Sequence, residues 1–266
     1  MESILDIALV QRAAGMLQAA AHTVVLTGAG ISRESGIPTF RGKDGLWTIR
    51  GEPPMDQFQQ FHRDPRAWWL RRIELQGSPG DFAVSLRASE PNDAHYALAE
   101  LEALGLIGHV ITQNVDNLHR RAGQRSITEI HGNIQWMRCV DCHTRWPEDE
   151  VDIDLEDLPP RCTRPGCHGV VKGDGVMFGE PIPPGALERC YAETAQAGLF
   201  LLVGTSAVVY PAAHFPQLAY QRGIPLIEVD PEPTALSDLA TVVLRGPAGE
   251  ILPLLLHAVR ERIGRP

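Results

Sequence analysis

The chain predicts an α/β fold, a parallel sheet with helices on both faces, accompanied by a smaller domain. Three observations carry this. Five short apolar runs, residues 23–26, 110–112, 199–203, 225–229 and 241–244, alternate with segments of helical periodicity. Runs that are apolar throughout, without strict alternation, belong to strands covered from both sides. Glycine- or amide-bearing motifs follow several of these runs, at the strand ends where such sheets bind ligands. Finally, four of the five cysteines crowd into residues 139–167, a second module inserted into the alternating pattern. The larger body is therefore Rossmann-like.

Taken in order, residues 7–20 carry apolar side chains at helical spacing, an amphipathic helix. The strand at 23–26 runs into Gly28, Ala29 and Gly30, followed by a helical start at 32–35 and a polar and aromatic loop with Pro38, Phe40 and Arg41. Residues 43–91 read as Gly-, Pro- and Gln-rich loops around one helical piece, 65–75. A helix at 94–104 meets Gly105 as its terminator. The strand at 110–112 ends at Gln113, Asn114, Val115 and Asp116. Residues 132–175 form the cysteine insertion, a helix covers 186–197, and the strand at 199–203 ends at Gly204, Thr205 and Ser206. Two further strands and a helix over 248–262 close the chain. The expected bodies are residues 1–42, 92–131 and 176–266 for the sheet domain, with 43–91 and 132–175 building the smaller one.

The bulk numbers exclude several classes. A length of 266 residues with 44% hydrophobic content is enough for a large and a small domain. A net charge of -9 gives no electrostatic reason to expect sequence-specific nucleic-acid binding. No run approaches the roughly 18 apolar residues of a membrane span. The first six residues carry acids where a secretory signal needs bases, so a cytoplasmic location without membrane attachment is expected.

Gly28, Ala29 and Gly30 put bare backbone after a strand, where a phosphate can approach and amide N–H groups can donate. The spacing of a dinucleotide fingerprint fails, because position 33 is Arg, so a structural turn and a nucleotide site both stand open on this motif. Cys139 and Cys142 with Cys162 and Cys167 are more specific: two thiolate pairs on tight turns converge on a tetrahedral Zn²⁺. Four thiolates leave no open position, which makes the zinc structural, with the neighbouring His143 and His168 not needed. The smaller domain is thus a zinc-binding module plus a helical insertion. Cys190 lies in a helical segment and reads as a buried apolar residue. Gln113, Asn114 and Asp116 can hold a carboxamide or ribose hydroxyls. His131, shortly after, can act as a general base at neutral pH.

Together these motifs resemble the sirtuins, NAD-dependent protein deacylases, over nearly the whole chain. The resemblance is carried by Gly28-Ala29-Gly30-Ile31-Ser32, Ser35-Gly36-Ile37-Pro38-Thr39-Phe40-Arg41, and Thr112-Gln113-Asn114-Val115-Asp116-Asn117-Leu118-His119. It continues through His131-Gly132-Asn133, the four cysteines, Phe178-Gly179-Glu180, Gly204-Thr205-Ser206 and Val209-Tyr210-Pro211-Ala212, all in family order. It implies NAD as co-substrate, contacted by Gly28, Ala29, Gly30, Phe40, Arg41, Trp47, Gln113, Asn114, Asp116, Gly204, Thr205, Ser206, Asp230 and Ala248. His131 and Asn114 would be catalytic. An acylated-lysine protein or peptide would bind along Val176, Met177, Phe178, Gly179 and Glu180, opposite the loop after Tyr210. The implied reaction attaches the acyl oxygen to the nicotinamide ribose and releases nicotinamide. His131 then draws a proton from the ribose hydroxyls, and free lysine and 2'-O-acyl-ADP-ribose leave.

Three departures qualify the carry-over. Asp230 stands where the family has Asn, a carboxylate that accepts ribose hydroxyls and repels a 2'-phosphate. Lys172-Gly173-Asp174-Gly175 lacks the family's proline, which points to a looser substrate strand. Trp68 and Arg71 have the spacing of the Tyr-Arg pair that reads acidic acyl groups, but the tyrosine is absent. The Trp-rich helix instead resembles the undifferentiated bacterial and archaeal branch, which implies deacetylation. The other readings are a deacylase preferring longer apolar or acidic acyl groups, a mono-ADP-ribosyltransferase, and a non-catalytic NAD sensor or zinc adaptor.

Overall fold

The computed structural model describes residues 6–42, 45–78 and 82–264. The acidic start at Met1–Leu5, residues 43–44 and 79–81 of the insertion, and the last two residues lie outside the described part. The elements in order are α1 (Ile7–Ala19), β1 (Thr23–Thr27), a 3₁₀ helix over Ala29–Ser35, α2 (Leu46–Arg50), α3 (Gln57–Arg63), α4 (Pro65–Leu75), α5 (Phe82–Ala88) and α6 (Asp93–Ala103). Then come β2 (His109–Thr112), α7 (Leu118–Arg121), β3 (Ile127–Glu129), β4 (Trp136–Cys139), β5 (Arg145–Pro147), β6 (Val171–Gly173) and α8 (Pro184–Gln196). The chain ends with β7 (Leu199–Val203), α9 (His214–Gln221), β8 (Leu226–Val229), β9 (Val242–Leu244) and α10 (Ala248–Arg262).

The large sheet has the order β3-β2-β1-β7-β8-β9, and every pairing is parallel. Side chains alternate across it as the pleat requires. Val25, Val110, Leu201 and Ile227 meet α1, α6 and α10 on one face, while Val24, Leu26, Ile111, Phe200 and Leu226 meet the α8 and α9 side on the other. The strands are buried along both faces, which is why they read as unbroken apolar runs. Local chemistry sets the helix ends. Asp6 accepts the Ala8 amide at 2.9 Å to start α1, and Asn92 with His95 forms a reciprocal cap at the start of α6. Gly105, at φ 77°, closes the end of that helix. Cys190 is fully buried in α8, as its helical context predicts.

The small sheet, order β5-β4-β6, is antiparallel. Trp69 of α4 is fully buried against Met137, Leu158 and Val171, and its indole N–H donates to the Val171 carbonyl at 3.0 Å. The helical insertion and the cysteine module are thus one packed unit. The insertion departs from the sequence expectation: it contains α2, α3, α4 and α5, where only the piece at 65–75 was legible. Helices of five to seven residues complete too few turns to show a period. The same brevity hid β3, α7 and α9. No helix among the described residues is long and apolar enough to cross a membrane.

Candidate active site

The order of the large sheet reverses between β1 and β7. After β1 the chain moves outward to β2 and β3, and it re-enters on the far side of β1 with β7. Loops leaving the two neighbouring strand ends lie at this reversal point, the place where doubly wound sheets take ligands. Those loops carry residues 28–30 and 204–206. They also touch. A Cβ on Gly30 would sit 2.6 Å from the Gly204 Cα, and one on Gly28 would sit 2.8 Å from the Gly204 carbonyl oxygen. The Gly28 amide donates to the Val203 carbonyl at 3.1 Å, and the Gly30 amide to the Gly204 carbonyl at 2.8 Å. This corrects the sequence reading: the two glycines meet the demand of loop-on-loop packing, and their N–H groups are engaged inside the protein. Thr205 is buried and Ser206 is exposed.

From β2 come the amide and carboxylate residues. Gln113 Nε2 donates to Thr205 Oγ1 at 2.8 Å and to the Thr27 carbonyl at 3.2 Å, tying β2 to the β7 loop across β1. Asn114 is buried, its Nδ2 donating to the Gly28 carbonyl at 3.1 Å and Ser32 Oγ at 3.0 Å. Ser32 in turn donates to Asp116 Oδ2 at 2.7 Å, and Leu118 N–H donates to Oδ1 at 2.9 Å. Burial pushes the Asp116 carboxyl above its ordinary value, opposed by these bonds. His131 leans on the same strand end. Its Nδ1 lies 3.0 Å from the Gln113 carbonyl, which can only accept, so Nδ1 carries the proton and Nε2 is left as the basic nitrogen. Burial pulls its pKa below 6.5. The imidazole is therefore neutral at neutral pH, as a general base must be.

Beneath these residues lies a buried polar layer that the sequence reading did not find. Thr27 Oγ1 donates to Thr112 Oγ1 at 2.8 Å and lies 2.9 Å from His119 Nε2, whose ring meets that of His95 at 4.9 Å. The signal available was a threonine ending each of two apolar strands. Burial lowers His95 from 6.5 to about 4, and His109, at the start of β2, from 6.5 to about 4, with Glu193 opposing the second shift. A histidine held neutral in the fold stabilises it fully only above the unfolded value, and that contribution is lost as pH falls from 6.5 toward 4. At pH 5 the two together cost about 4 kcal/mol relative to pH 7.5. Urea melts at the two pH values should show a markedly lower midpoint in acid. Equal midpoints would mean these imidazoles are hydrated in the fold.

The loop beyond the 3₁₀ helix reaches toward the small domain. Phe40 packs on Trp47 with ring centroids 5.0 Å apart, Arg41 lies 4.6 Å over the Trp47 ring and pairs with Glu52 at 3.1 Å, and Trp47 meets Phe178 at 5.6 Å. The aromatic loop thus adjoins the segment 176–180. Along that segment, Val176 N–H donates to the His131 carbonyl at 2.9 Å, and the Phe178 carbonyl accepts Phe58 N–H of α3 at 3.0 Å. Gly179 turns at φ 80° against Gln59 and Met55. Glu180 points inward, its side chain only 6% exposed beside Arg138 and Lys172. The glycine-rich stretch 172–175 is not loose: Lys172 Nζ donates to the Gly173 carbonyl at 3.0 Å and the Gly175 carbonyl at 2.7 Å.

The remaining predicted residues sit further out. Asp230 follows the end of β8, one strand beyond β7, and its Oδ1 accepts Glu232 N–H at 3.0 Å. Burial pushes its carboxyl upward. Arg245 bridges to the Asp230 carbonyl at 3.2 Å and to buried Glu228 at 2.6 Å. Ala248 is 4% exposed and packs in the core at the start of α10. Trp68 packs on Phe61 and Trp69 within the small domain, and Arg71 is exposed.

The four cysteine sulfurs lie within 4.8 Å of one another, with Cys139 and Cys167 at 3.7 Å and Cys142 and Cys162 at 3.6 Å. A tetrahedron with Zn–S bonds of about 2.3 Å has edges of about 3.8 Å. Two of the six edges match zinc as they stand, and the four-thiolate donor set suits that ion. His143 and His168 are exposed and outside the cluster.

Comparison with known proteins agrees with this geometry. The family model described as "Sir2 family" matches residues 28–211. The "NAD-dependent protein deacylase 2" of Archaeoglobus fulgidus is 42% identical over 254 residues, covering 95% of this chain and 96% of the relative. A Sir2 homologue mutant solved with ADP-ribose superposes with a TM-score of 0.78 at 38% identity, covering 95% of this chain and 97% of that one. A Sir2 mutant solved with a deacetylated p53 peptide and 3'-O-acetyl-ADP-ribose gives 0.76 at 33% identity, covering 96% and 99%. With the family model matched over residues 28–211 and relatives more than 40% identical along nearly the whole chain, this protein belongs to the Sir2 family.

Proposed function

We propose that the protein is an NAD-dependent lysine deacylase, acting first on acetyl groups. It would release nicotinamide, free lysine and 2'-O-acyl-ADP-ribose, with one structural zinc ion in the cysteine module. One observation supports this above the rest: His131 belongs to both halves of the site. Its Nδ1 binds the Gln113 carbonyl on the nucleotide side, and its own carbonyl receives Val176 N–H on the peptide side. A base held there has Nε2 available for a ribose hydroxyl while a peptide strand is added alongside. Asn114 and Asp116 would hold the nicotinamide end, Gln113 and residues 204–206 the middle, and Asp230 the adenine ribose. Phe40, Arg41 and Trp47 would cover the nicotinamide ribose.

An extended acyl-lysine peptide would lie between 175–178 and the loop at 208–210, where Val208 and Tyr210 are exposed. Main-chain bonding of that kind tolerates varied sequences. Exposed Arg71 and small-domain Trp68 favour acetyl over acidic acyl groups. The sheet domain would comprise residues 1–42, 92–131 and 176–266, and the cellular location would be the cytoplasm. A panel of acetyl-, longer apolar acyl- and succinyl-lysine peptides with NAD, followed by mass spectrometry, tests the reading. Acetyl peptides should turn over to lysine and O-acetyl-ADP-ribose. Turnover of none, or transfer of ADP-ribose to protein in its place, would overturn it.

Cofactor choice gives a second expectation. Asp230 should exclude a 2'-phosphate, so NADP should bind at least tenfold more weakly than NAD, an effect expected from one close like charge at a partly solvated site. Asp230→Asn should narrow the gap in competition titrations. A gap unchanged by the variant would remove Asp230 from the specificity argument.

A further inference from the structure

Between the large sheet and the cysteine module lies a set of buried charges that the reaction does not use. Lys172 is completely buried, Arg138 and Asp174 are each 2% exposed, and Glu180 has a side chain 6% exposed. Charges withdrawn from water to this degree persist only when each is paired and hydrogen-bonded. Here they are. Glu180 Oε1 accepts Arg138 Nη2 at 2.7 Å, and Oε2 faces Lys172 Nζ at 3.0 Å and accepts Met177 N–H at 2.8 Å. The ammonium has three donors, and its three acceptors all come from residues 173–180: the Gly173 and Gly175 carbonyls and Glu180. Asp174 Oδ2 accepts Asn133 N–H at 2.8 Å and Arg145 Nη2 at 2.7 Å.

Two consequences follow from where these bonds end. Gly173 and Gly175 lack side chains to pack, yet their carbonyls are fixed by the lysine, so the backbone is cross-tied where glycine would otherwise free it. The other end of the cluster holds Asn133, two residues beyond His131, while His131 itself receives Val176 N–H at 2.9 Å. One charge cluster thus sets both the base loop and the segment proposed to receive the peptide. We propose that Lys172 and Glu180 are positioning residues, a buried ion pair that holds the bend after β6 and the segment 173–177 in register with His131 for peptide addition. The inference rests on the acyl-lysine reading above. It deepens that reading by giving Glu180 an indirect part in binding in place of a contact.

The test compares the parent, Lys172→Met, and the charge-neutral double variant Lys172→Met/Glu180→Gln on an acetyl-lysine peptide that the parent turns over. Peptide KM should rise about tenfold or more in both variants, with kcat within threefold and the KM for NAD within twofold. The double variant removes both charges of the Lys172–Glu180 pair, leaving Arg138 with an amide oxygen at position 180 and the Asp174 carboxylate at 3.7 Å, and it keeps the comparison alive where the single variant folds poorly. Hydrogen exchange of the free proteins supplies a readout without turnover: the Val176 and Met177 amides should exchange at least tenfold faster than in the parent. Unchanged peptide KM and exchange in the folded double variant would overturn the proposal, as would equal rises in both KM values. A parent that turns over no acyl peptide would defeat the deacylase reading instead, and exchange would still decide the clamp.

Discussion

His131→Ala should lower deacylation of an acetyl-lysine peptide by about 10²–10⁴-fold, the range lost when a positioned general base is removed. The fold should survive. The imidazole is partly exposed and its one hydrogen bond within the protein runs to the Gln113 carbonyl, which water can satisfy in the variant. Loss of that bond costs about 1 kcal/mol. NAD affinity should change little, because the side chains of Gln113, Asn114 and Asp116 are held by Thr205, Ser32 and Leu118, and the histidine bonds the Gln113 carbonyl and not these side chains. The pH profile gives a second check. Burial lowers the His131 pKa in the free protein, so the acid limb of kcat/KM in the parent should lie below pH 6.5 and disappear in the variant's residual activity. Initial rates by mass spectrometry decide the matter, alongside a thermal melt. A folded variant within twofold of the parent rate would remove His131 from the chemistry.

That prediction draws on residues legible from the sequence, and the reason is local. A strand buried on both faces announces itself as an apolar run, and the polar and glycine residues just past its end break that run, so 113–116 and 204–206 stood out. Cysteine pairs at two- and four-residue separations can meet one ion without knowledge of the fold. What stayed hidden depends on distant partners. Gly28 and Gly30 appeared as open amides because nothing local shows that Gly204, more than 170 positions later, presses against them. The stretch 172–175 appeared loose because the stiffness comes from Lys172 reaching Glu180 and from Arg138 on another strand. The helices α2, α3 and α5 are stabilised by tertiary packing, as Phe61 of α3, buried against Trp68, illustrates, and their own periodicity is too short to show it.

Zinc removal should have the largest structural effect. The module's own core is small: Trp69, Met137, Leu158 and Val171 with the cysteines themselves. Three strands of three or four residues around such a core do not hold together unaided. Structural zinc sites contribute apparent binding free energies of about 10–16 kcal/mol in small domains, more than this core can supply. Chelation, or Cys142→Ala, should therefore unfold residues 132–175 and release α4, whose Trp69 loses its Val171 partner. The large sheet has separate cores on its two faces, free of the cysteine quartet, and should remain folded. Because β6 leads directly into the peptide segment and α3 binds Phe178, peptide turnover should fall at least 100-fold and return on adding one equivalent of zinc. Thiol labelling separates the two bodies: four cysteines should become reactive after chelation while Cys190, fully buried in α8, stays protected. A chelated protein that keeps half its activity with all five thiols protected would mean the module folds without metal. Simultaneous labelling of Cys190 would mean that the two bodies unfold as one.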